Sequence, residues 1–284
     1  MELIDREFVR RALPARPADG HKGTFGKVCL LGGSVGYTGA PVLCAGAAVR
    51  SGCGLVYLGV PECVWHIAAA KCLCAMPFPL PEKDGALALS GEADFRRRAE
   101  GCDAVAIGCG MGRSADSDAL TRRLLTLPQP LVLDADGINA LSGHIDTLSC
   151  RRGLTTVLTP HDGELARIGG DMTAPRESSA AAFAARHGVC LVRKGHRTVI
   201  AAPDGRLAVN TTGSDGMAKG GSGDVLTGLL TGLLAQGVEP FAACCCAVWL
   251  HGRAGDLAAE EKGHRGMTPA DMIEKLPYAL KEVE

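Results

Sequence analysis

The chain has 284 residues, of which 38 are glycine and 41 alanine; aromatic residues make up 4% and apolar residues 46%. So few aromatic side chains disfavour an all-β sandwich, whose pleated strands pack through β-branched and aromatic residues, and so many apolar ones disfavour a disordered chain. Thirty basic against 31 acidic residues leave a net charge of −1, without the clustered basic surface that nucleic acid requires.

A chain this long can bury roughly 75% of its unfolded surface in one core. One domain over residues 1–284 is expected, with residues 1–22 as an N-terminal arm. The longest apolar stretch, residues 241–250, is half the ~20 residues of a membrane-spanning helix. The opening MELIDREFVRR lacks the apolar core of a secretory leader. Thirteen cysteines without CxxC spacing fall mostly in apolar runs, as reduced thiols that pack as small hydrophobes do. A cytoplasmic location is the expectation, with neither membrane nor nucleic acid as a partner.

Along the chain, short apolar runs alternate with helical segments. Lys27–Leu31 precedes GGSVGYTG and a helix over 41–51; Ala104–Ile107 precedes GCGMG and a helix over 116–127. Leu131–Leu133 precedes DADG, Thr156–Leu158 precedes TPHDG and a helix over 175–186, and 189–192 precedes RKGHRT. Runs this short and apolar read as strands covered on both faces. Their alternation with helices predicts an α/β fold around a mostly parallel sheet. Residues 198–201 and 206–209 flank Pro203-Asp204-Gly205 and predict a hairpin at an antiparallel edge. Helices are predicted over 224–236, 241–261 and Pro269–Lys281, with Gly228 and Gly232 on one face for close packing against the sheet. Arg96-Arg97-Arg98 predicts a solvated helix face.

Polar and glycine-rich clusters recur where strands hand over to loops. Ligands of open α/β sheets bind beyond the carboxyl ends of strands, so five loops are expected to converge on one edge. The strongest signal is GSDGMAKGGSGD, residues 213–224, running directly into an apolar helix. Glycines let successive amides face one point, and a helix N-terminus attracts anions. Gly220, Gly221, Ser222 and Gly223 are therefore the candidate anion hole. Asp224, a carboxylate at a helix N-terminus, is expected to be held charged and so weakened as a base, although it can accept a proton late in phosphoryl transfer or orient a hydroxyl. The alternative makes it a helix cap.

His161 could contact a phosphate or ring, and Glu164 could hold Mg²⁺ through water; a capping arrangement is the alternative for both. Asp134 and Asp136 either share that cation field or close a turn on Asn139. The 194–198 loop either offers cationic and backbone groups to a nucleotide or is a solvated hairpin. Lys219 either neutralises phosphate or stays solvated.

Together these motifs resemble the ADP/ATP-dependent NAD(P)H-hydrate dehydratases of the ribokinase-like superfamily. The likeness runs from His21 to about Lys281 and rests on HKGTFGKVCLLGGSVGYTGAP, GCGMG, LDADGIN, LTPHDGE, VRKGHRT and NTTGSDGMAKGGSGDVLTGLLTGLLAQG, in that order. It implies a three-layer α/β/α sandwich and a carbon–oxygen lyase that returns NADHX and NADPHX to NADH and NADPH. The co-substrate would be ADP or ATP, with Mg²⁺. Phosphorylating the C6 hydroxyl turns a poor leaving group into phosphate, which the ring nitrogen helps to expel.

The resemblance further implies Asp224 as the catalytic residue and Ala40, Gly110, Gly112, His161 and Asp224 around the hydrate. Lys194, Gly195, His196, Arg197, Thr198 and Gly223 would hold the nucleotide, beside the anion hole at Gly220 to Gly223. A homotetramer is implied, as is a separate NAD(P)HX epimerase, since the 22 leading residues are too few for the epimerase domain often fused in front. Departures from the family pattern are GCGMG for GPGLG, DADGIN for DADALN and TPHDGE for TPHPGE; Asp162 in the last could alter charge near the phosphates. A hydroxymethylpyrimidine or thiazole kinase of the same superfamily would use the same GxGD site but leave a stable phosphate ester. A silent nucleotide sensor is the third reading, opposed by the intact Asp224 and its glycines.

Overall fold

The computed structural model covers the whole chain, Met1–Glu284. In chain order its strands are β1 (Glu2–Ile4), β2 (Lys27–Leu31), β3 (Leu55–Pro61), β4 (Met76–Leu80), the small hairpin β5 (Glu82–Lys83) and β6 (Ala86–Leu87), β7 (Ala104–Ile107), β8 (Leu131–Leu133), β9 (Thr156–Leu158), β10 (Cys190–Arg193), β11 (Val199–Ala201) and β12 (Leu207–Asn210). The helices are α1 (Arg6–Ala12), α2 (Gly39–Arg50), α3 (Glu62–Lys71), α4 (Glu92–Ala99), α5 (Ala115–Leu124), α6 (Asp136–Asn139), α7 (Asp162–Arg167), α8 (Arg176–His187), α9 (Ser222–Ala235), α10 (Pro240–Lys262) and α11 (Pro269–Lys281). Ten strands form one sheet in the order β1-β12-β11-β10-β9-β8-β7-β2-β3-β4. Only β11 runs antiparallel to its neighbours; every other adjacent pair is parallel.

Alternate residues of a strand face opposite sides, and here both sides are apolar. Val28 and Leu30 of β2 join a core with Cys44, Ala45 and Ala48 of α2, Val225 and Leu229 of α9 and Cys244–Cys246 of α10. Cys29 and Leu31 face a second core with Phe95 of α4, Leu120 and Leu124 of α5 and Phe183 of α8. The molecule is thus a three-layer α/β/α sandwich. The abundance of alanine and cysteine follows from the first core, where three helices crowd one sheet face and small side chains keep their axes close.

The closest approach is between α2 and α9. A Cβ on Gly228 would sit 1.9 Å from the Cys44 carbonyl oxygen, and one on Gly232 would sit 2.0 Å from Ser51 Oγ. These glycines therefore seat helix on helix, not helix on sheet as the sequence suggested. Two glycines four residues apart mark a close contact without saying what makes it.

The predicted hairpin forms as β11 and β12, but it is not the sheet edge. Main-chain pairing of Glu2, Leu3 and Ile4 with Ala208, Val209 and Asn210 covers it in parallel, and Thr211 Oγ1 donates to the Ile4 carbonyl at 3.0 Å. The N-terminal arm is thus partly an edge strand, invisible to periodicity because it is three residues long with only Ile4 buried. The strands β3 and β4 and helix α3 were likewise unassigned. In the 96–98 run Arg97 and Arg98 are exposed, whereas Arg96 is half-buried on Glu92 and the Arg123 carbonyl.

From β2 the chain builds outward through β3 and β4, then returns to lay β7 on the other side of β2. The sheet's topological switch point therefore lies between β2 and β7, and a crevice opens there beyond the carboxyl ends of the strands.

Replacing Gly228 by Ala should push α2 from α9 and destabilise the fold by about 1–3 kcal/mol. Gly220→Ala, whose Cβ would meet nothing within 4 Å, should leave the thermal midpoint unchanged. Paired thermal melts check both.

Candidate active site

Two glycine-rich loops close over the switch point. The Gly33 amide donates to the Cys109 carbonyl at 2.9 Å and the Gly108 amide to the Leu31 carbonyl at 3.1 Å, so β2 and β7 stay paired past their ends. A Cβ on Gly110 would lie 2.9 Å from Ala40 Cβ, which brings two of the sequence-predicted residues side by side. The Gly112 amide donates to Asp136 Oδ2 at 2.9 Å, and Asp136 Oδ1 accepts from Asn139. Asp136 is therefore the turn-closing carboxylate of the DADG segment.

Asp134 does different work. It is 1% exposed, and both its oxygens are engaged: Oδ1 accepts from Lys194 Nζ at 2.6 Å and Thr159 Oγ1 at 2.8 Å, and Oδ2 accepts from Thr227 Oγ1 at 2.8 Å. Burial alone would push its carboxyl up, but Lys194 and the two hydroxyls hold it below the usual carboxylate range. Between the two aspartates, Ala135 sits at φ 47°, ψ −114°. That conformation is uncommon outside glycine and costs on the order of 1–3 kcal/mol. It lies in the wall of the candidate cavity.

The start of α9 supplies the anion-binding face. Its N-cap is Gly221 at φ 102°, with no side chain to cap the first turn. The first backbone bond into the helix runs from the Val225 amide to the Gly221 carbonyl at 3.2 Å. The Ser222 amide, expected in the anion hole, instead donates to the Lys219 carbonyl at 3.3 Å, because the turn before the helix folds back on it; the Gly220, Gly221, Gly223 and Asp224 amides and the positive end of the helix are left for an anion. Behind them, buried His251 bonds the Ser222 carbonyl through Nε2 at 2.8 Å. Burial pushes its pKa down to about 4, so the ring is neutral near pH 7 and must carry its proton on Nε2 to make that bond. A cavity of about 600 Å³ opens in front, lined by Lys194, Arg197, Asn210, Gly220, Asp224 and His251 among others.

Asp224, the third residue of α9, faces this cavity. Its carboxyl is pushed up to about 6 by burial and by the neighbouring Asp134 charge, with the Cys109 thiol and Lys194 opposing. The helix terminus was expected to lower it. The correction is physical: Lys194 is already bound to Asp134, so Asp224 lies beside a fixed negative charge with little water. A carboxylate of this kind is a competent base near neutral pH.

The remaining predicted residues divide. His161, the 194–198 loop, the 220–223 amides and Asp224 all line the one cavity. Ala40, Gly110 and Gly112 are not among the residues lining it; Gly110 packs on Ala40, and Gly112 is tied to Asp136. His161 caps α7, its Nδ1 accepting from the Gly163 and Glu164 amides at 3.0 and 3.2 Å. Glu164 turns inward; Oε2 accepts from the His161 amide at 2.8 Å and lies 3.8 Å from Lys194 Nζ. Lys219 donates to the Arg265 carbonyl at 2.7 Å and to the Met267 carbonyl, so its ammonium is engaged by the backbone of the 265–267 segment.

Asp162 is bound by Arg176 Nη1 at 2.6 Å and Arg193 Nε at 2.8 Å. Arg176 also holds the Arg193 and Lys194 carbonyls, so Asp162 anchors the Lys194 loop through two arginines and brings no free charge to the cavity. The sequence reading missed Thr159, Thr227, Asn210 and His251. Thr159, Asn210 and Thr227 lie inside the quoted motifs but carry no charge and no glycine to single them out, and His251 follows an apolar run outside every motif.

The sequence model of the NAD(P)H-hydrate dehydratase family matches residues 28–278. A bifunctional NAD(P)H-hydrate repair enzyme of Moorella thermoacetica is 43% identical over 99% of this chain and 54% of its own length. An ADP-dependent (S)-NAD(P)H-hydrate dehydratase of Neisseria meningitidis serogroup B is 40% identical over 88% of this chain and 82% of its own. The chain spans about half the length of the bifunctional relatives. An ADP/ATP-dependent NAD(P)H-hydrate dehydratase from Bacillus subtilis, co-crystallized with ATP/Mg²⁺, superposes with a TM-score of 0.82 at 31% identity, covering 100% of this chain and 99% of that one. A hydroxyethylthiazole kinase from Pyrococcus horikoshii, at 17% identity and a TM-score of 0.61, shares the fold.

Because the folded Asp224 carboxyl binds its proton more tightly than the unfolded one, its contribution to stability is full below about pH 4 and is lost as pH rises through 6. Asp224→Asn should therefore stabilise the protein at pH 7.5 by about 1–3 kcal/mol. Thermal melts should show that gain shrinking toward pH 4.5.

Proposed function

This chain belongs to the NAD(P)H-hydrate dehydratase family, and we propose that it converts the C6 hydrates NADHX and NADPHX back to NADH and NADPH, with ADP cleaved to AMP and phosphate, or ATP in its place. The observation that carries this reading is Asp224, a carboxylate turned to the cavity beside uncapped amides, next to an aspartate whose oxygens are all engaged. Asp134 is thereby a structural anion and Asp224 the base.

In this reading the C6 hydroxyl lies on Asp224 while the nucleotide occupies the cavity along Lys194 to Thr198 and Gly223. Asp224 accepts the hydroxyl proton as the oxygen attacks the terminal phosphorus. The amides of Gly220, Gly221 and Gly223 and the positive end of α9 stabilise the charge that gathers on the phosphoryl oxygens. Phosphate then leaves C6 with electron density from the ring nitrogen, and loss of the C5 proton restores the double bond. Water must be kept from the transferring group, and the Lys194 loop, anchored by Arg176 and Asp162, can wall off the cavity.

Magnesium is expected to accompany the nucleotide. Glu164, the residue suggested for it, has one oxygen on the His161 amide and the other 3.4 Å from the His161 ring. It does not fit an inner ligand, and no step is assigned to it. A homo-oligomer, a separate epimerase for the other hydrate epimer and a cytoplasmic location belong to the same proposal, which the thirteen free thiols suit. The kinase reading is supported only by fold likeness.

The test mixes protein, Mg²⁺ and NADHX with ADP or ATP and follows absorbance at 340 nm. Recovery of NADH with free phosphate supports the dehydratase; a stable phosphate ester would support the kinase instead. Asp224→Asn should keep nucleotide binding and lose about 10²–10⁴-fold in turnover, and near-wild-type turnover in that variant would overturn the assignment.

A further inference from the structure

We propose that His251 is a positioning residue for phosphoryl transfer: by holding the Ser222 carbonyl it sets the direction of the Gly223 amide, one of the donors left open at the start of α9. This rests on the reading of that helix start as the phosphoryl site.

The start of α9 is loose by sequence. Gly220, Gly221 and Gly223 surround one residue with a side chain, Ser222, and glycine leaves a backbone more conformations than any other residue. Ser222 is held at each of its polar groups. Its amide donates to the Lys219 carbonyl at 3.3 Å, its hydroxyl donates to the Met217 carbonyl at 2.7 Å, and its carbonyl accepts from His251 Nε2 at 2.8 Å. The first two bonds stay within the loop that leads into the helix. The third comes from α10, where His251 follows ten apolar residues, Phe241 to Leu250, and is itself buried. Of these three bonds, it is the one that ties the glycine turn to another helix.

The consequence lies in the next peptide. The chain has no cis peptide bond, and in a trans peptide the carbonyl and the following amide lie in one plane and point opposite ways. Fixing the Ser222 carbonyl therefore fixes the Gly223 amide, which is directed out of the helix start and has no backbone acceptor. Donation to the carbonyl oxygen also polarises the peptide and makes that amide a stronger donor, as in any chain of hydrogen bonds. A carbonyl can only accept, so the role requires an N–H at Nε2. A buried histidine that merely fills space would have no such requirement.

The experiment compares the wild type with H251Q, whose amide nitrogen can stand where Nε2 does and donate, and with H251M, similar in size but without a donor. H251N, too short to reach the carbonyl, serves in place of H251M if thermal melts show that variant unfolded. Dehydration of NADHX with ADP and Mg²⁺ then separates kcat from KM. H251M should lose about 10–100-fold in kcat, less than removal of a whole oxyanion donor at its most severe. KM for NADHX and ADP should change by less than about twofold, the mark of an interaction made in the transition state, and H251Q should recover to within about fivefold of the wild type.

NMR supplies readouts that need no turnover. The ring ¹⁵N shifts should report the neutral, Nε2-protonated tautomer in the wild type at pH 7. The Ser222 carbonyl ¹³C and Gly223 amide ¹H resonances should move upfield in H251M and return in H251Q. A ring protonated on Nδ1, a Gly223 amide unmoved in H251M, or equal losses of kcat in H251M and H251Q would each overturn the proposal and leave His251 as packing. If the wild type does not turn over NADHX, the dehydratase reading fails, while the resonance shifts still decide whether His251 sets the Gly223 amide.

Discussion

The buried contact between Lys194 and Asp134 organises this molecule's working end. Breaking one side of such a pair leaves an uncompensated buried charge, at about 3–5 kcal/mol, so the elements that carry the two groups are locked together. Asp134 ends β8 and Lys194 ends β10; Thr159 ties in β9 and Thr227 ties in α9. One carboxylate thus fixes three strand ends and a helix in a common frame. Its second effect is electrostatic. Neutralising Asp134 consumes the only nearby ammonium, and Asp224 is left poised near neutrality.

The same end of the sheet shows why glycine is concentrated where it is. A Cβ on Gly108 would strike the Asp134 carbonyl at 1.8 Å, and one on Gly223 would crowd Lys194 Nζ at 3.3 Å. In these places the backbone itself must come close to a charged group or another strand end. Further back, at Gly228 and Gly232, glycine serves the α2–α9 contact. That contact matters for the site because α9 carries both the anion-binding amides and Asp224. A helix displaced from α2 would move its N-terminus relative to the strand ends.

Much of this was legible in the sequence. Five short apolar runs, each handing over to a loop marked by glycine or proline, correspond to five central strands, since a doubly covered strand has no polar face to obscure it. The GGSGD–helix junction was legible because uncapped amides need glycine, and glycine is visible as a letter. Less legible were β1 and β4, the first too short for periodicity and the second carrying two prolines in MPFPL, which read as a breaker. The partners of Asp134 were not legible at all, because Thr227 lies 93 residues away in a run that otherwise reads as helix core.

The amino-acid sequence by itself determined the parallel α/β architecture, the edge on which the loops gather and the residues able to hold an anion and move a proton. These follow from local patterns: apolar runs, turn residues and a carboxylate at a helix start. Only the tertiary structure decided which aspartate is free and which is spent, that Glu164 and His161 cap a helix, and that Asp224 is raised and not lowered. Hydrogen-bond partners and burial are set by groups far apart in the chain, and a carboxylate's proton affinity depends on those surroundings more than on its own place in a helix.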